Sequence, residues 1–322
     1  MSLKHVGHAD IQRFAADRVN LPADKASVYR AQARRLREKL TTYLAEHDNF
    51  ALKKMLLSGS LAKGTALRSL NDIDVALYVA GEDAPHQVSE LLNYIAERLR
   101  TSFPNISPDQ VKPQTYSVTI SFTGTGLDID VVPILYYGDP QWRGDLISQD
   151  DGSRLMTSIP MHLEFAKKRR DAQPTDFAQV VRLVKYWAAI RKAEVSGFRF
   201  KSFMIEMILA HLCDNGTSMK VYPEALAAFF NYVATTGLRE QIAFDDFYSV
   251  VEIDIAADRI QIVDPVNPEN NVSRLYTPQQ AGLIEDAAYE AGDAIDYALH
   301  ATTKGETLAA WQRVFGSTFS VS

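Results

Sequence analysis

Residues 58–79 read SGSLAKGTALRSLNDIDVALYV. The second half, DIDVALYV, has the β-branched and aromatic content of a strand, alternating at first and apolar at its end. Side chains alternate faces along a strand, so Asp72 and Asp74 point the same way, with backbone positions about 6–7 Å apart. Ile73 and Val75 point the other way, into a core. The first half begins as the end of another strand, KKMLLSGS (53–60), which runs into a tight turn at Gly59-Ser60. The following ALRSL (66–70) is expected to form a short helix. A small residue in such a turn lets backbone amides approach a phosphate, and a helix start adds favourable partial charge. Ser60 adds a hydroxyl donor, and Lys63 and Arg68 add positive charge. The order of residues is not that of a Walker P-loop.

Two carboxylates aligned on one face repel each other, which is costly near a core unless a cation lies between them. Their spacing suits a pair of divalent ions about 3.5–4 Å apart. Taken alone, D-x-D also fits a solvent-facing strand edge. The phosphate-cradling turn twelve residues earlier is what makes a catalytic site coherent. Two metal ions need more ligands than two side chains supply. LDIDVVP (127–133) offers Asp128 and Asp130, again on one strand face. Both can reach the site, and composition does not choose between them.

Working outward, residues 9–19 read as a short helix, and Pro22 to about His47 as a long one, with Pro22 suited to a first turn. That helix carries Arg30, Arg34, Arg35, Arg37 and Lys39, which fit a solvated face or a contact surface for nucleic acid or protein. Residues 86–102 have helical periodicity. TYSVTISF (115–122) and LDIDVVPILYY (127–137) read as strands. Residues 50–137 therefore form an α/β lobe with a mixed or antiparallel sheet. The polar, turn-rich GDPQWRGDLISQDDGS (138–153) places a boundary near residues 138–158. From Pro160 onward helical periodicity dominates, interrupted by the strand-like RIQIVDPVNP. The expected fold is α+β, divided into residues 1–155 and 156–322.

The chain has 322 residues, 46% hydrophobic and 23% charged, with a formal net charge of −6. That balance argues against a surface built wholly for nucleic acid, though not against a local basic face. Its single cysteine, Cys213, excludes an internal disulfide and reads as a small core residue. MSLKHVGHADIQRFAADRV lacks a signal-peptide core, and no run of 18 apolar residues occurs. A cytoplasmic protein without membrane association is expected.

The combined pattern of Gly-Ser turn, D-x-D and later Asp resembles the DNA polymerase β-like nucleotidyltransferases. Within that superfamily it is similar to the oligoadenylate synthetases and the bacterial cGAS/DncV-like enzymes (CD-NTases). Gly59, Ser60, Asp72, Asp74 and Asp130 match the shared motif. Asp130 rather than Asp128 takes the third position, because the family's third Asp precedes two apolar residues and a proline, as in Asp130-Val131-Val132-Pro133. GSLAKGTALR (59–68) resembles the synthetase GS-x-x-KGT-x-LR segment, placing Lys63 in register. RLVKYW (182–187) resembles RLVK-x-W. KSFMIEMIL (201–209) puts Ser202 where synthetases have Gln, and IVDPVNPENNV (262–272) resembles DP-x-x-P-x-x-N.

The resemblance implies a polymerase β-like lobe and a mainly helical synthetase-like lobe, bridged by a long N-terminal helix. It implies that Asp72, Asp74 and Asp130 are catalytic and hold two magnesium ions, with manganese the alternative. Asp130 would accept the proton of the attacking ribose hydroxyl. Nucleotide binding falls to Gly59, Ser60, Lys63, Lys185 and Ser202. ATP, with other nucleoside triphosphates open, would be joined into a cyclic oligonucleotide, a trinucleotide favoured, with release of pyrophosphate in anti-phage signalling. Implied partners are a HORMA-domain regulator and a ring ATPase; the Arg-rich helix leaves duplex DNA open as an activator. Competing readings are a transferase acting on RNA ends or a small molecule, and a nucleic-acid-binding regulator. Plainer roles fit several residues: Trp187 as core, Asp264 as a turn former, His162 as packing or surface, and KKRR (167–170) as a solvated helix end.

Overall fold

The computed structural model describes residues 5–70, 72–147 and 152–321. The chain divides into two compact units, Leu21–Glu164 and a second made of the residues up to Asn20 with Phe165–Ser322. The expected division at 155/156 falls inside a β-strand, Arg154–Thr157.

The first unit is built on a seven-stranded mixed sheet. The strands are β1 (Leu52–Leu57), β2 (Asp72–Ala80), β3 (Val111–Pro113), β4 (Val118–Phe122), β5 (Leu127–Tyr136), β6 (Gly144–Ile147) and β7 (Arg154–Thr157). Their order is β1-β2-β5-β4-β3, and β6 pairs with the end of β5 and with β7. Among the described strands of this sheet, β2 and β5 run parallel and the other pairs are antiparallel. The stretch expected to mark a boundary therefore contains β6, with β7 directly after it, and Ser148–Asp151 lie outside the described residues.

One face of this sheet is the core. Ile73, Val75, Leu77 and Val79 of β2 and Leu127, Ile129, Val131 and Leu135 of β5 pack there. Leu36 and Leu40 of α2 (Ala23–Glu46) and Leu91, Leu92, Ile95 and Leu99 of α4 (Val88–Ser102) cover them. Burying each such side chain is worth about 1.5–3 kcal/mol. Arg30, Arg34, Arg35, Arg37 and Lys39 lie on the exposed face of α2.

The helix expected at ALRSL does not form; residues 66–70 make turns. The helical turn comes earlier, as α3 (Gly59–Lys63), and ends at Gly64, whose left-handed φ of 72° stops it.

The second unit is helical: α1 (His8–Phe14), which continues as a π-helical turn, the C-terminal part of α5 (Ile159–Ala172), α6 (Asp176–Glu194), α7 (Ser202–Asp214), α8 (Tyr222–Thr236), α9 (Pro278–His300) and α10 (Lys304–Phe315). The N-terminal segment belongs here because Phe14 is buried against Phe315 and Phe319, ring centroids 5.3 and 4.9 Å away. Met1–Lys4 lie outside the described residues. The strand-like RIQIV segment contributes isolated bridges at Ile262 and Val263 rather than a strand.

KKRR is not a solvated helix end throughout. Arg169 is 2% exposed and carries Asp214 and Asp246 on its guanidinium, with Lys168 also on Asp246 at 2.9 Å. Trp187 is core, at 1% exposure. Cys213 is half-buried, its Sγ accepting from Gln173 Nε2 at 3.2 Å. Asp264 is buried and holds its own loop, accepting from Val266 N and Asn270 Nδ2. His162 is half-buried. No described helix is long and apolar enough to cross a membrane.

Candidate active site

The pairing of β2 with β5 sets Asp72 opposite Asp128 and Asp74 opposite Asp130. Neighbouring strands lie about 4.8 Å apart, so the four carboxylates form two adjacent pairs on one sheet face. Their direction follows from the core. The intervening Ile73, Val75, Ile129 and Val131 are fully buried on the opposite face. A slip of either strand by one residue would turn its two acids into that core, so the register is fixed by burial.

The third strand of the group is β4, antiparallel to β5, with Thr119 opposite Asp130 and Ser121 opposite Asp128. The Thr119 hydroxyl donates to Oδ1 of Asp130. On the other side of Asp74 lies the turn after β1. Ser58 N donates to the Asp74 carbonyl at 2.9 Å. Gly59 follows with a φ of +62°, and a Cβ there would lie 1.8 Å from Asp74 Oδ2. The glycine is required twice over, for its backbone angle and for the carboxylate against it. Ser60 and Lys63 continue into α3, both half-buried.

The electrostatics bear the mark of crowded like charges. Partial burial, then the charge of Asp130 and more weakly that of Asp128, holds the Asp72 carboxyl above its ordinary value of 3.8, against an opposing backbone hydrogen bond. Among the described residues, no three His, Cys, Asp or Glu side chains are already gathered so as to hold one metal ion. The carboxylates are aligned by the backbone but not drawn together.

The remaining expected nucleotide-binding residues lie in the helical unit. Lys185 of α6 is 7% exposed and pairs with Glu206 of α7 at 3.8 Å. Ser202, at the first turn of α7 and four positions before Glu206, is exposed. Two features went unread in the sequence: the hydroxyl facing Asp130, and the acid that meets Lys185. The first had a signal, since VTISF alternates small hydroxyl residues with core residues beside a strand that alternates acids with core residues. The second was visible only as a Glu in an apolar helix.

No family model matches the chain. It is 61% identical over 319 residues to the cyclic AMP-AMP-AMP synthase of Escherichia coli strain MS 115-1, covering 99% of each protein. It is 31% identical over 319 residues to the CBASS oligonucleotide cyclase CdnC of Escherichia coli strain KTE188, covering 98% of each. The solved structure of E. coli MS115-1 CdnC with ATP has a TM-score of 0.94 at 61% identity, covering 98% of this chain and 100% of that one. That of the same CdnC in complex with HORMA-deltaN has 0.94 at 60% identity, covering 99% and 100%. With kinship running the length of both proteins and the same fold throughout, the chain belongs to the CD-NTase family of CBASS oligonucleotide cyclases.

Proposed function

We propose that this CD-NTase condenses ATP into cyclic AMP-AMP-AMP, with Asp72, Asp74 and Asp130 as its catalytic carboxylates. The observation that carries the site is the parallel register of β2 and β5, which lines up two acidic pairs beside the Gly59 turn. The product follows the synthase with which the chain shares 61% of its residues, and the substrate follows the ATP in the related CdnC structure.

The carboxylate set fits hard divalent cations. Several acidic oxygens on one rigid face, among them those of a carboxyl held up by partial burial and then by its acidic neighbours, are the donors magnesium takes, and manganese can replace it. Such ions would polarise the α-phosphate and acidify the attacking ribose hydroxyl. The chain's own residues do the rest. The ribose oxygen forms a bond to the α-phosphorus, the α–β phosphoanhydride bond breaks, and pyrophosphate leaves. Asp130 accepts the hydroxyl proton. The amides at Gly59 and Ser60, the Ser60 hydroxyl and Lys63 hold the leaving phosphates in line. For Ser202 and Lys185, both in the helical unit, a role in nucleotide binding rests on the family resemblance alone. The charge of Lys185 is shared with Glu206.

A HORMA-domain protein as partner follows the relative's complex. The ring ATPase rests on family resemblance alone. Duplex DNA as activator has the exposed basic face of α2 in its favour; added duplex would then raise turnover in a salt-dependent way. The central test is mass spectrometry of products from ATP and magnesium, with Asp72→Asn/Asp74→Asn compared against the parent chain. A cyclic triadenylate from the parent, and none from a folded double variant, is expected. A folded double variant that still makes product ends the assignment.

A further inference from the structure

We propose that Thr119 is a positioning residue for the transfer reaction: its hydroxyl fixes one oxygen of Asp130 so that the other is presented to the reacting groups. The inference rests on Asp130 being an active-site carboxylate. Thr119 sits directly across from Asp130 on the antiparallel neighbour of β5, and its Oγ1 donates to Asp130 Oδ1.

Two features make this more than a chance cross-strand pair. The backbone of Thr119 is locked on both sides, paired to Asp130 of β5 and to Lys112 of β3. Its flanking residues, Val118 and Ile120, are fully buried, so the strand cannot rotate the hydroxyl away. A β-branched side chain on such a backbone has few rotamers, which makes the donor a fixed one. Asp130 itself is held in register on its other side by Asp74. A carboxylate with one oxygen tied from the β4 side keeps the second, and a remaining lone pair on the first, for the side where Asp74 lies. Support of this kind sets the orientation of a ligating carboxylate and is typically worth 10- to 100-fold in metal affinity or activity.

The experiment uses the full chain. Thr119→Val keeps the shape and removes the donor, Thr119→Ser keeps the donor, and Asp130→Asn is the reference. Two readouts are taken: initial rates of cyclic product formation against ATP and magnesium, and manganese(II) affinity by electron paramagnetic resonance without ATP, which needs no turnover. For Thr119→Val we expect kcat to fall by about ten-fold or more, KM for ATP to stay within about two-fold, and manganese affinity to weaken by about ten-fold. Thr119→Ser should recover most of both. If Thr119→Val does not fold, Thr119→Ala takes its place with the same expectations.

The inference is overturned if Thr119→Val matches the parent in both readouts while Asp130→Asn is inactive, which leaves the site reading intact. It is equally overturned if Thr119→Ser is as impaired as Thr119→Val, because packing rather than the hydroxyl would then be at work. An active Asp130→Asn removes the site reading itself, and this inference with it.

Discussion

Two groups of aspartates in this molecule are treated in opposite ways. In the helical unit, Asp214 and Asp246 close on a buried guanidinium: Arg169 donates to Asp246 through two nitrogens at 2.7 Å, and Asp214 takes its other side. In the sheet unit, Asp72, Asp74, Asp128 and Asp130 stand side by side on two strands, and the charges that act on Asp72 are those of two other acids. The first group is a finished structural joint. The second places like charges beside one another, a cost that the cations and polyphosphate of the proposed function would offset. On the proposed function, the contrast separates residues kept for stability from residues kept for reaction.

The largest effect should come from breaking the joint. Arg169→Met leaves two acids, one of them 4% exposed, without their buried cation. Removing one partner of such a group costs about 3–5 kcal/mol. Urea unfolding should show that loss. A change under about 1 kcal/mol would mean that the triad is not a structural element. The matching change in the sheet unit is Gly59→Ala. The new Cβ would meet Asp74 Oδ2, and the left-handed backbone adds strain of about 1–3 kcal/mol. Turnover should drop by about 100-fold or more, in line with the loss of a transition-state stabiliser, while far-ultraviolet circular dichroism stays native. An active Gly59→Ala would detach the turn from the site.

How far each group could be read from the sequence differs for the same physical reason. D-x-D on two strands announces itself because strand periodicity alone puts the acids on one face, and the run Asp72–Ala80 forms as expected. That those two strands are neighbours, parallel and in register, is a fact of tertiary pairing that no local pattern contains. The joint was invisible: Arg169, Asp214 and Asp246 come from α5, the end of α7 and a loop, and KKRR looks like any solvated helix end until the chain folds around it. The turn after β1 was placed correctly, but its helix was displaced by several residues. Gly64 terminates it before ALRSL, a stop set by one left-handed residue. The β6–β7 hairpin was missed because four-residue strands flanked by polar residues carry almost no periodicity.

Acid sharpens the comparison, because the two groups respond with opposite sign. Asp246 pays for burial, but the hydrogen bonds from Arg169 and Lys168 outweigh it and hold its carboxyl below 3.8. Its stabilising contribution is complete above 3.8 and disappears as the pH falls through the depressed value. Asp246→Asn should therefore lower stability at neutral pH, by about 1–3 kcal/mol for a charge-assisted pair, and by progressively less as the pH falls below 3.8. Urea denaturation across the acid range reads this directly, and a difference between the two proteins that stays constant with pH would contradict it.

Asp72 gives the smallest effect and the most diagnostic one. Its carboxyl is held above 3.8, so the folded chain keeps this proton more tightly than the unfolded chain does. At neutral pH the whole cost of its charge is present, and stability recovers as the pH falls through the raised value towards 3.8. Asp72→Asn deletes that cost. Because the side chain is only partly buried and reaches solvent, screening leaves only a few tenths of a kcal/mol, but the sign is opposite to that of a structural aspartate: the cation-free variant should be slightly more stable than the parent. Magnesium then reverses the order, since a ligand that binds only the folded state stabilises it by RT ln(1 + [L]/Kd), and the variant has lost a ligand for it. Thermal melts with chelator and with millimolar magnesium test both halves. A variant destabilised in chelator would make Asp72 an ordinary structural residue. One stabilised in chelator and no longer responsive to magnesium would show that the strand holds a charge its fold does not want, at the place where a cation makes use of it.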